Sequence, residues 1–276
     1  MATPRHTDLD HVAIAVEHHS DAWPRYVSEL GATWRSGGLG IGFAPGQIAF
    51  ANAMKLELLR PHRPEDNDFL RRFLDDLGPG AHHLTFKVPD LTEALDAVEE
   101  AGYNPVGVDR SDPEWQEAFL HPREVPGVVV QLAQPDGTEW ISPAPKAFPP
   151  PPLRAPASLD SIGHAVADLD NALRLFAGPL HGAIVDEGTT ADSRWVELAW
   201  PGPGRLRLLA PTAPSSPIAR WLGERRGRVH HLAFSLDEPG TIASAKPSED
   251  GTWEVAPADN LGVRLILRPR PPSPVV

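Results

Sequence analysis

An internal repeat constrains this chain more than any other feature of its sequence. The segment HHLTFKV at residues 82–88 recurs as HHLAFSL at residues 230–236, and other short segments recur around it in the same order. These are LDHVAIAV (9–16) with LDSIGHAV (159–166), KLELLRP (55–61) with RLRLLAP (205–211), and VVVQLAQP (128–135) with VRLILRP (263–269), the last pair aligned on the closing proline. Self-similarity in a fixed order indicates that a fold has been duplicated.

The repeated segments predict strands, because each is short, rich in aliphatic residues and bounded by Gly, Pro or Asp. Helices are predicted between them, at residues 20–31 and 90–102, where Ser, Asp or Thr caps begin a segment that a glycine ends. The order of strand, helix and further strands then occurs twice in each half of the chain. We therefore predict an α+β protein with mixed sheets and helices on the outside.

A proline-rich segment separates the two halves. Residues 142–157, SPAPKAFPPPPLRAPA, contain consecutive prolines, which exclude both helix and sheet hydrogen bonding. We predict an N-terminal metal-binding module at 1–141, a linker at 142–157 and a degenerate C-terminal module at 158–276. The 276 residues, 41% of them hydrophobic, suffice for two cores.

Composition limits the kinds of partner and metal ligand that the protein can have. The net charge of -12 leaves no basic surface to neutralise phosphates, so neither nucleic acid nor a membrane is expected as a partner. The absence of cysteine restricts any metal site to nitrogen and oxygen ligands. The start of the chain, MATPRHTDLDHVAIAV, lacks the features of a signal peptide, so a cytoplasmic location is expected.

Strand alternation places a polar side chain on the non-core face of each repeated segment in the first half. These residues are His11, Glu57, His83 and Gln131. If the strands form one curved sheet, the four side chains converge on a divalent ion. Two imidazoles and two oxygen donors suit Zn, Ni, Co, Mn or Fe, and argue against Ca or Mg.

The second half provides an internal comparison for this site. Its equivalent residues are Ser161, Arg207, His231 and Leu265, of which only the histidine is a metal ligand. A guanidinium would repel a cation, so no metal of this kind is expected in the second half. Arg207 is expected to form a salt bridge rather than to bind a substrate anion.

These motifs resemble the vicinal oxygen chelate superfamily, which includes glyoxalase I, methylmalonyl-CoA epimerase, extradiol dioxygenases and bleomycin resistance proteins. The resemblance rests on DH in the first strand, ELL followed by Pro at the end of the first unit, HHLTF in the second unit and Gln on its last strand. The sequences of two segments, DLDHVAIAV and LRRFLDDLGPGAHHLTFKVPDL, are most similar to those of methylmalonyl-CoA epimerase. The resemblance implies two tandem modules of paired β-α-β-β-β units, and the same ligands, His11, Glu57, His83 and Gln131.

Two departures from the epimerase pattern affect the expected chemistry. The epimerase order of ligands is His, Gln, His and Glu, so the two oxygen ligands are exchanged here and Gln131 cannot accept a proton. The segment from Gly31 to Lys55 also contains no Asp or Glu to supply the second catalytic carboxylate of the epimerase. A two-base epimerase is therefore not expected.

The first hypothesis is a metal-dependent enzyme of glyoxalase or epimerase type, acting as an isomerase, epimerase or lyase. It would stabilise an enolate or chelated vicinal oxygens during proton transfer next to a carbonyl of a small-molecule substrate. Glu57 is either the general base or a ligand alone. Three nearby residues either lie at the edge of the pocket or have only structural roles, in packing and in capping a turn: Trp115, Phe119 and His121.

Two alternatives remain open. The first is a non-catalytic binding or resistance protein, although such relatives often lack the full ligand set. The second is an Fe(II) ring-cleaving dioxygenase, in which Glu57 would replace the carboxylate expected at Gln131. The C-terminal module is expected to be structural, packing in place of a second subunit, and the protein is expected to be a monomer or homodimer.

Overall fold

The computed structural model describes residues 6–137, 140–150, 152 and 154–271. Residues 1–5, used above in predicting the location, and residues 151 and 153 of the predicted linker lie outside the described residues. So do residues 138–139, near the end of the first predicted module, and residues 272–276, at the end of the second. No helix in the described part of the chain is long and apolar enough to cross a membrane.

The described residues form two series of strands with few helices. The strands are β1 (Asp8–Ala15), β2 (Thr33–Gly37), β3 (Gly42–Ala49), β4 (Lys55–His62), β5 (Gly80–Lys87), β6 (Pro105–Asp109), β7 (Trp115–Leu120), β8 (Val129–Pro135), β9 (Ser158–Val166), β10 (Ala183–Thr189), β11 (Ser193–Ala199), β12 (Arg205–Pro211), β13 (Gly227–Leu236), β14 (Lys246–Pro247), β15 (Trp253–Val255) and β16 (Arg264–Pro269). The helices are α1 (His19–Ala22), which continues as a π-helix at Trp23–Glu29, α2 (Phe69–Leu77), α3 (Leu91–Glu100), α4 (Leu169–Phe176) and α5 (Pro217–Leu222).

The strands form two eight-stranded sheets of the same topology. The first has the order β2-β3-β4-β1-β5-β8-β7-β6, and the second has the order β10-β11-β12-β9-β13-β16-β15-β14. Both are mixed, since β5 and β13 run parallel to β8 and β16 while β7 and β15 run antiparallel to them. The predicted α+β fold of two tandem modules with paired β-α-β-β-β units is confirmed.

Helix α3 shows how local signals produce these units. The Asp90 carboxylate accepts hydrogen bonds from the backbone N–H groups of Thr92 and Glu93, which caps the first turn. The helix buries an apolar stripe and is followed by Gly102 at a φ of 89°. At the corresponding place in the second half, Pro239–Thr241 forms a 3-10 turn, because Pro and Gly prevent a longer helix.

Strand alternation divides each sheet into a core face and a second face. Phe86 of β5 is fully buried on the core face, and its ring centre lies 5.2 Å from that of Trp200. On the second face of β1, Ala13 and Ala15 pack with Leu59 of β4 against helix α2. His11 lies on this second face, one step along β1 from the part that α2 covers.

The described chain divides into two compact units, each drawn from both halves of the sequence. The first contains residues 6–12, 82–137 and 161–230. Within it, the loop before β8 approaches the start of β13 so closely that a Cβ on Gly127 would lie 2.2 Å from the Gly227 nitrogen. The His164 Nε2 lies 2.7 Å from the Pro126 carbonyl oxygen in the same loop.

The second unit contains residues 13–81, 231–271 and the described part of 140–160. Here the loop before β16 approaches the start of β5, and a Cβ on Gly262 would lie 2.0 Å from the Pro79 carbonyl oxygen. Asn260 of this loop donates a hydrogen bond of 2.9 Å to the buried hydroxyl of Tyr26. Each unit therefore has its own close backbone contact between repeats.

Candidate metal centre

The four predicted ligands lie on four neighbouring strands of the first sheet. His11 is on β1, Glu57 on β4, His83 on β5 and Gln131 on β8, and these strands are consecutive in the order β4-β1-β5-β8. None of the four is more than 9% exposed. Buried polar side chains need polar partners, so such a row across a sheet indicates a defined network.

Three of the four offer ligand atoms at a common point. One ligand atom from each of His11, Glu57 and His83 lies within 4.8 Å of the others. The imidazole rings of His11 and His83 have centres 5.8 Å apart and meet edge to face. His83 also makes a 2.9 Å contact between its Nδ1 and the Nδ1 of His82.

Thr85 links Gln131 to this cluster. It is two residues from His83 on β5 and is the direct cross-strand partner of Gln131 on β8. Its fully buried hydroxyl donates to the Gln131 Oε1 at 2.6 Å and lies 2.9 Å from the His11 Nε2. The amide oxygen and the imidazole nitrogen therefore approach one hydroxyl from two sides.

Asp10 sets the orientation of the His11 ring. The His11 Nδ1 lies 2.8 Å from the Asp10 Oδ2, and Lys87 Nζ lies 3.2 Å from the other oxygen of this carboxylate. A carboxylate only accepts hydrogen bonds, so in the neutral imidazole Nδ1 carries the proton and Nε2 presents its lone pair toward Thr85. A carboxylate in this position is a frequent partner of metal-binding histidines.

Glu117 on β7 sets the orientation of the Gln131 amide. Its Oε2 accepts hydrogen bonds from the Gln131 Nε2 at 2.6 Å and from the Trp115 Nε1 at 2.8 Å. Because the carboxylate can only accept, the amide NH₂ must face Glu117. The carbonyl end of Gln131 then faces Thr85.

This donor arrangement fits a bound cation. The His11 Nε2 and the Gln131 Oε1 are both acceptors in the orientations just described. A divalent cation would bind both lone pairs, together with Glu57 and His83. Two nitrogen and two oxygen ligands suit Zn, Ni, Co, Mn or Fe.

Glu57 has an amide as its neighbour. Gln47 of β3 is its cross-strand partner, and the Gln47 Nε2 donates to the Glu57 Oε1 at 3.2 Å. The carboxylate thus lies on β4 and its partner strand carries an amide. This agrees with the absence of Asp and Glu from Gly31 to Lys55 in the sequence.

The second sheet has a different set of residues in the equivalent place. Arg207 is the cross-strand partner of Glu197, donates from Nε to its Oε2 at 2.8 Å, and lies 4.3 Å from the centre of the Trp195 ring. The predicted salt bridge of Arg207 is therefore confirmed. Ser161 and His231 are both buried there.

One predicted equivalence is wrong. Alignment of the two sequences on the closing proline pairs Gln131 with Leu265. The pairing of strands in the two sheets gives a different equivalent. His83 pairs with Val129 and His231 pairs with Arg264, so the residue two positions further along β16, which matches Gln131, is Ile266. Leu265 is fully buried on the core face, and the error arises because the two last strands end at different registers.

Sequence reasoning missed the residues that orient the ligands: Asp10, Gln47, Thr85 and Glu117. Strand alternation could have found Thr85, since it lies two residues from His83. Gln47 and Glu117 could not have been found in this way, because cross-strand register depends on the loops between strands. Of the predicted pocket residues, Trp115 bonds Glu117, Phe119 lies opposite Gln131, and the exposed His121 caps a turn by accepting from the Arg123 N–H.

Comparison with known proteins places this chain in a family. A family model described as "Glyoxalase-like domain" matches residues 9–177. Among curated proteins, the uncharacterised protein YqjC of Bacillus subtilis (strain 168) is 32% identical over 137 residues, which cover 48% of this chain and 94% of that protein.

Two solved structures illustrate the likeness of fold. A mutant of 4-hydroxymandelate synthase from Streptomyces coelicolor aligns with a TM-score of 0.66 and 14% identity, over 98% of this chain and 94% of its own. Methylmalonyl-CoA epimerase from Mycobacterium tuberculosis aligns with a TM-score of 0.42 and 27% identity, over 50% of this chain and 89% of its own. The first of these shows a shared fold over 98% of the chain.

The family match extends from the first strand beyond the middle of the chain and includes all four predicted ligands. Together with the shared fold, it confirms the resemblance to the vicinal oxygen chelate superfamily that the repeated motifs predicted. This chain belongs to the family of proteins with a glyoxalase-like domain.

Proposed function

We propose that this protein is a metal-dependent enzyme that transfers a proton next to a carbonyl of a small-molecule substrate. In this proposal the N-terminal module, residues 1–141, binds one divalent transition metal through His11, Glu57, His83 and Gln131. The observation that carries the proposal is the approach of the His11, Glu57 and His83 ligand atoms to within 4.8 Å of one another. The module at 158–276 is proposed to be structural.

The proposed ligand set defines what each side chain contributes. When bound, a divalent metal supplies a Lewis acid that stabilises negative charge on a substrate oxygen and so acidifies the neighbouring C–H group. His11 contributes a nitrogen whose orientation Asp10 maintains, and Gln131 contributes an amide oxygen. Since Gln131 cannot take a proton, that step requires another residue.

Glu57 is the proposed general base. It is the only carboxylate among the four proposed ligands, and Gln47 holds its Oε1 by a hydrogen bond of 3.2 Å. A general base must lie within hydrogen-bond reach of the proton it removes, and a residue of the ligand set meets this condition for a substrate bound at the same point. Glu57 would then return the proton to the carbon next to the one it came from, which completes an isomerisation with one base.

Metal content tests the site. Wild-type protein, His83→Ala and His231→Ala would be stripped with a chelator, reloaded with divalent metal, and analysed by elemental mass spectrometry. We expect one equivalent of transition metal in wild type and in His231→Ala, and its loss in His83→Ala. His231 is a matched control because it occupies the repeated position in the second sheet. Wild-type protein without bound metal would instead favour the non-catalytic binding protein.

Proton exchange tests the role of Glu57. Metal-chelating carbonyl compounds would be incubated with the loaded protein in D₂O, and deuterium incorporation next to the carbonyl would be followed by NMR. We expect Glu57→Gln to retain an oxygen ligand and bound metal but to lose exchange by about a hundredfold or more. Equal exchange rates in Glu57→Gln and wild type would refute the assignment of Glu57 as the base.

An Fe(II) ring-cleaving dioxygenase is the second candidate function. The cluster of His11, His83 and Glu57 has the two-histidine, one-carboxylate composition of many non-haem iron oxygenases. Anaerobic loading with Fe²⁺, followed by measurement of oxygen uptake on a panel of catechols, separates the candidates. Catechol-dependent uptake that requires Glu57 would favour the dioxygenase over proton transfer.

A further inference from the structure

Glu117 lies outside the proposed ligand set but contacts it directly. It is half-buried on β7, and its Oε2 receives the Gln131 Nε2 at 2.6 Å. The same oxygen receives the indole N–H of Trp115 at 2.8 Å. Both bonds therefore end on one carboxylate oxygen, and the two donors restrict its position.

The contact matters because the two ends of a glutamine amide have similar shapes but opposite hydrogen-bonding roles. The carbonyl oxygen binds cations, whereas the NH₂ group donates two hydrogens and would repel a cation. Rotation of the Gln131 amide by half a turn would place two donors beside Thr85 and the His11 nitrogen. It would also bring the amide oxygen against the Glu117 carboxylate, which places two acceptors together.

We infer that Glu117 is a positioning residue that holds the Gln131 amide with its oxygen directed toward His11 and Thr85. This inference rests on the proposed function, because it assigns Glu117 an effect on metal affinity that acts through Gln131. A carboxylate on β7 thereby makes an amide on β8 usable as a ligand. Glu117 itself neither binds the metal nor contacts the reacting atoms.

The second sheet provides a carboxylate for comparison. Glu254 of β15 lies directly opposite Ile266, the residue that matches Gln131, and forms an ion pair with Arg264. There is no amide at that position to orient. Glu254 occupies the position of Phe119 rather than that of Glu117. Glu254→Leu therefore controls for the loss of a carboxylate from the equivalent strand without affecting the proposed ligands.

The test measures Co²⁺ affinity of the full-length protein by competition with a chelating dye, together with the Co²⁺ absorption spectrum. We expect Glu117→Leu to weaken Co²⁺ binding by roughly 10- to 100-fold, the range typical of residues that orient metal ligands. Glu117→Gln should bind Co²⁺ nearly as well as wild type, because one amide oxygen can accept both hydrogen bonds. Glu254→Leu should bind like wild type.

A double-mutant cycle distinguishes positioning from a general effect on the structure. In a Gln131→Ala background, Glu117→Leu should cause no further loss of Co²⁺ affinity, since there is no amide left to orient. A further loss of about tenfold in that background would refute action through Gln131. Wild-type affinity in Glu117→Leu would overturn the inference and leave the proposed metal centre intact.

Two other outcomes are also decisive. If wild-type protein does not bind Co²⁺, the proposed metal centre and this inference both fail. If Glu117→Leu does not fold, Trp115→Phe removes the indole N–H that restrains the Glu117 carboxylate and keeps an aromatic ring beneath Lys87. Trp115→Phe should weaken Co²⁺ binding by a smaller factor than is expected for Glu117→Leu. An unchanged affinity would count against the inference.

Discussion

Acidification below pH 6.5 should destabilise this protein through His164. The side chain is fully buried on β9, and its Nε2 lies 2.7 Å from the Pro126 carbonyl oxygen, which must accept a hydrogen bond. Its Nδ1 has no hydrogen-bond partner among the described residues. Burial therefore lowers the pKa of His164 from 6.5 to about 4, an effect that the hydrogen bond to Pro126 only partly opposes.

The sign and size of the effect follow from the two pKa values. Well above pH 6.5 the imidazole is neutral in both the folded and the unfolded protein, so protonation of His164 does not contribute to the free energy of unfolding. As the pH falls below 6.5, the unfolded chain takes up a proton that the folded protein does not, and the free energy of unfolding decreases until about pH 4. The difference of about 2.5 pKa units corresponds to about 3 kcal/mol in total, of which about 2 kcal/mol is lost by pH 5.

Urea unfolding followed by tryptophan fluorescence, at pH 7.5 and pH 5.0 in the presence of EDTA, measures this loss. His164→Gln is the comparison, because its amide NH₂ can still donate to Pro126 but does not titrate in this range. Between the two pH values, wild type should lose about 2 kcal/mol more of its free energy of unfolding than the variant loses. Equal losses in both proteins would refute the argument.

Three further predictions concern stability and are checked by thermal or urea unfolding. Ser216→Ala removes the hydroxyl that accepts from the Ala219 N–H at the start of α5, and should cost about 1 kcal/mol. Gly127→Ala should cost more than Gly102→Ala, because both glycines have positive φ but only the first lies against another backbone segment, and equal costs would contradict the close contact. Phe86→Ala should cost about 4 kcal/mol, since the ring is fully buried against Trp200, and a loss below about 1 kcal/mol would contradict this packing.

The fold was predictable because its signals are local and repeated. Caps and glycines bound the helices, as at Asp90 and Gly102, and strand alternation separates Phe86 from His83 without knowledge of any other strand. Because the sequence is repeated, each strand of the repeated motif could be assigned in both halves of the chain. The identical strand orders of the two sheets follow from this duplication.

Register between strands was not predictable in the same way. A register shift of one residue exchanges the two faces of a strand. The register itself depends on the geometry of the loops and on packing against residues far along the chain. The pairing of Gln131 with Leu265 failed for this reason, since the structure matches Gln131 with Ile266. The proximity of Glu117 to Gln131 could not be inferred, because it requires the register between β7 and β8.

The sequence alone thus determined the duplicated strand pattern and the face of each strand on which His11, Glu57, His83 and Gln131 lie. Both properties depend on a two-residue periodicity within single strands. Which lone pairs face a common point depends on tertiary folding, because the partners that orient His11 and Gln131 include groups on other strands. Hydrogen bonds constrain an imidazole or an amide only at contact distance, and tertiary folding brings Thr85 and Glu117 to that distance.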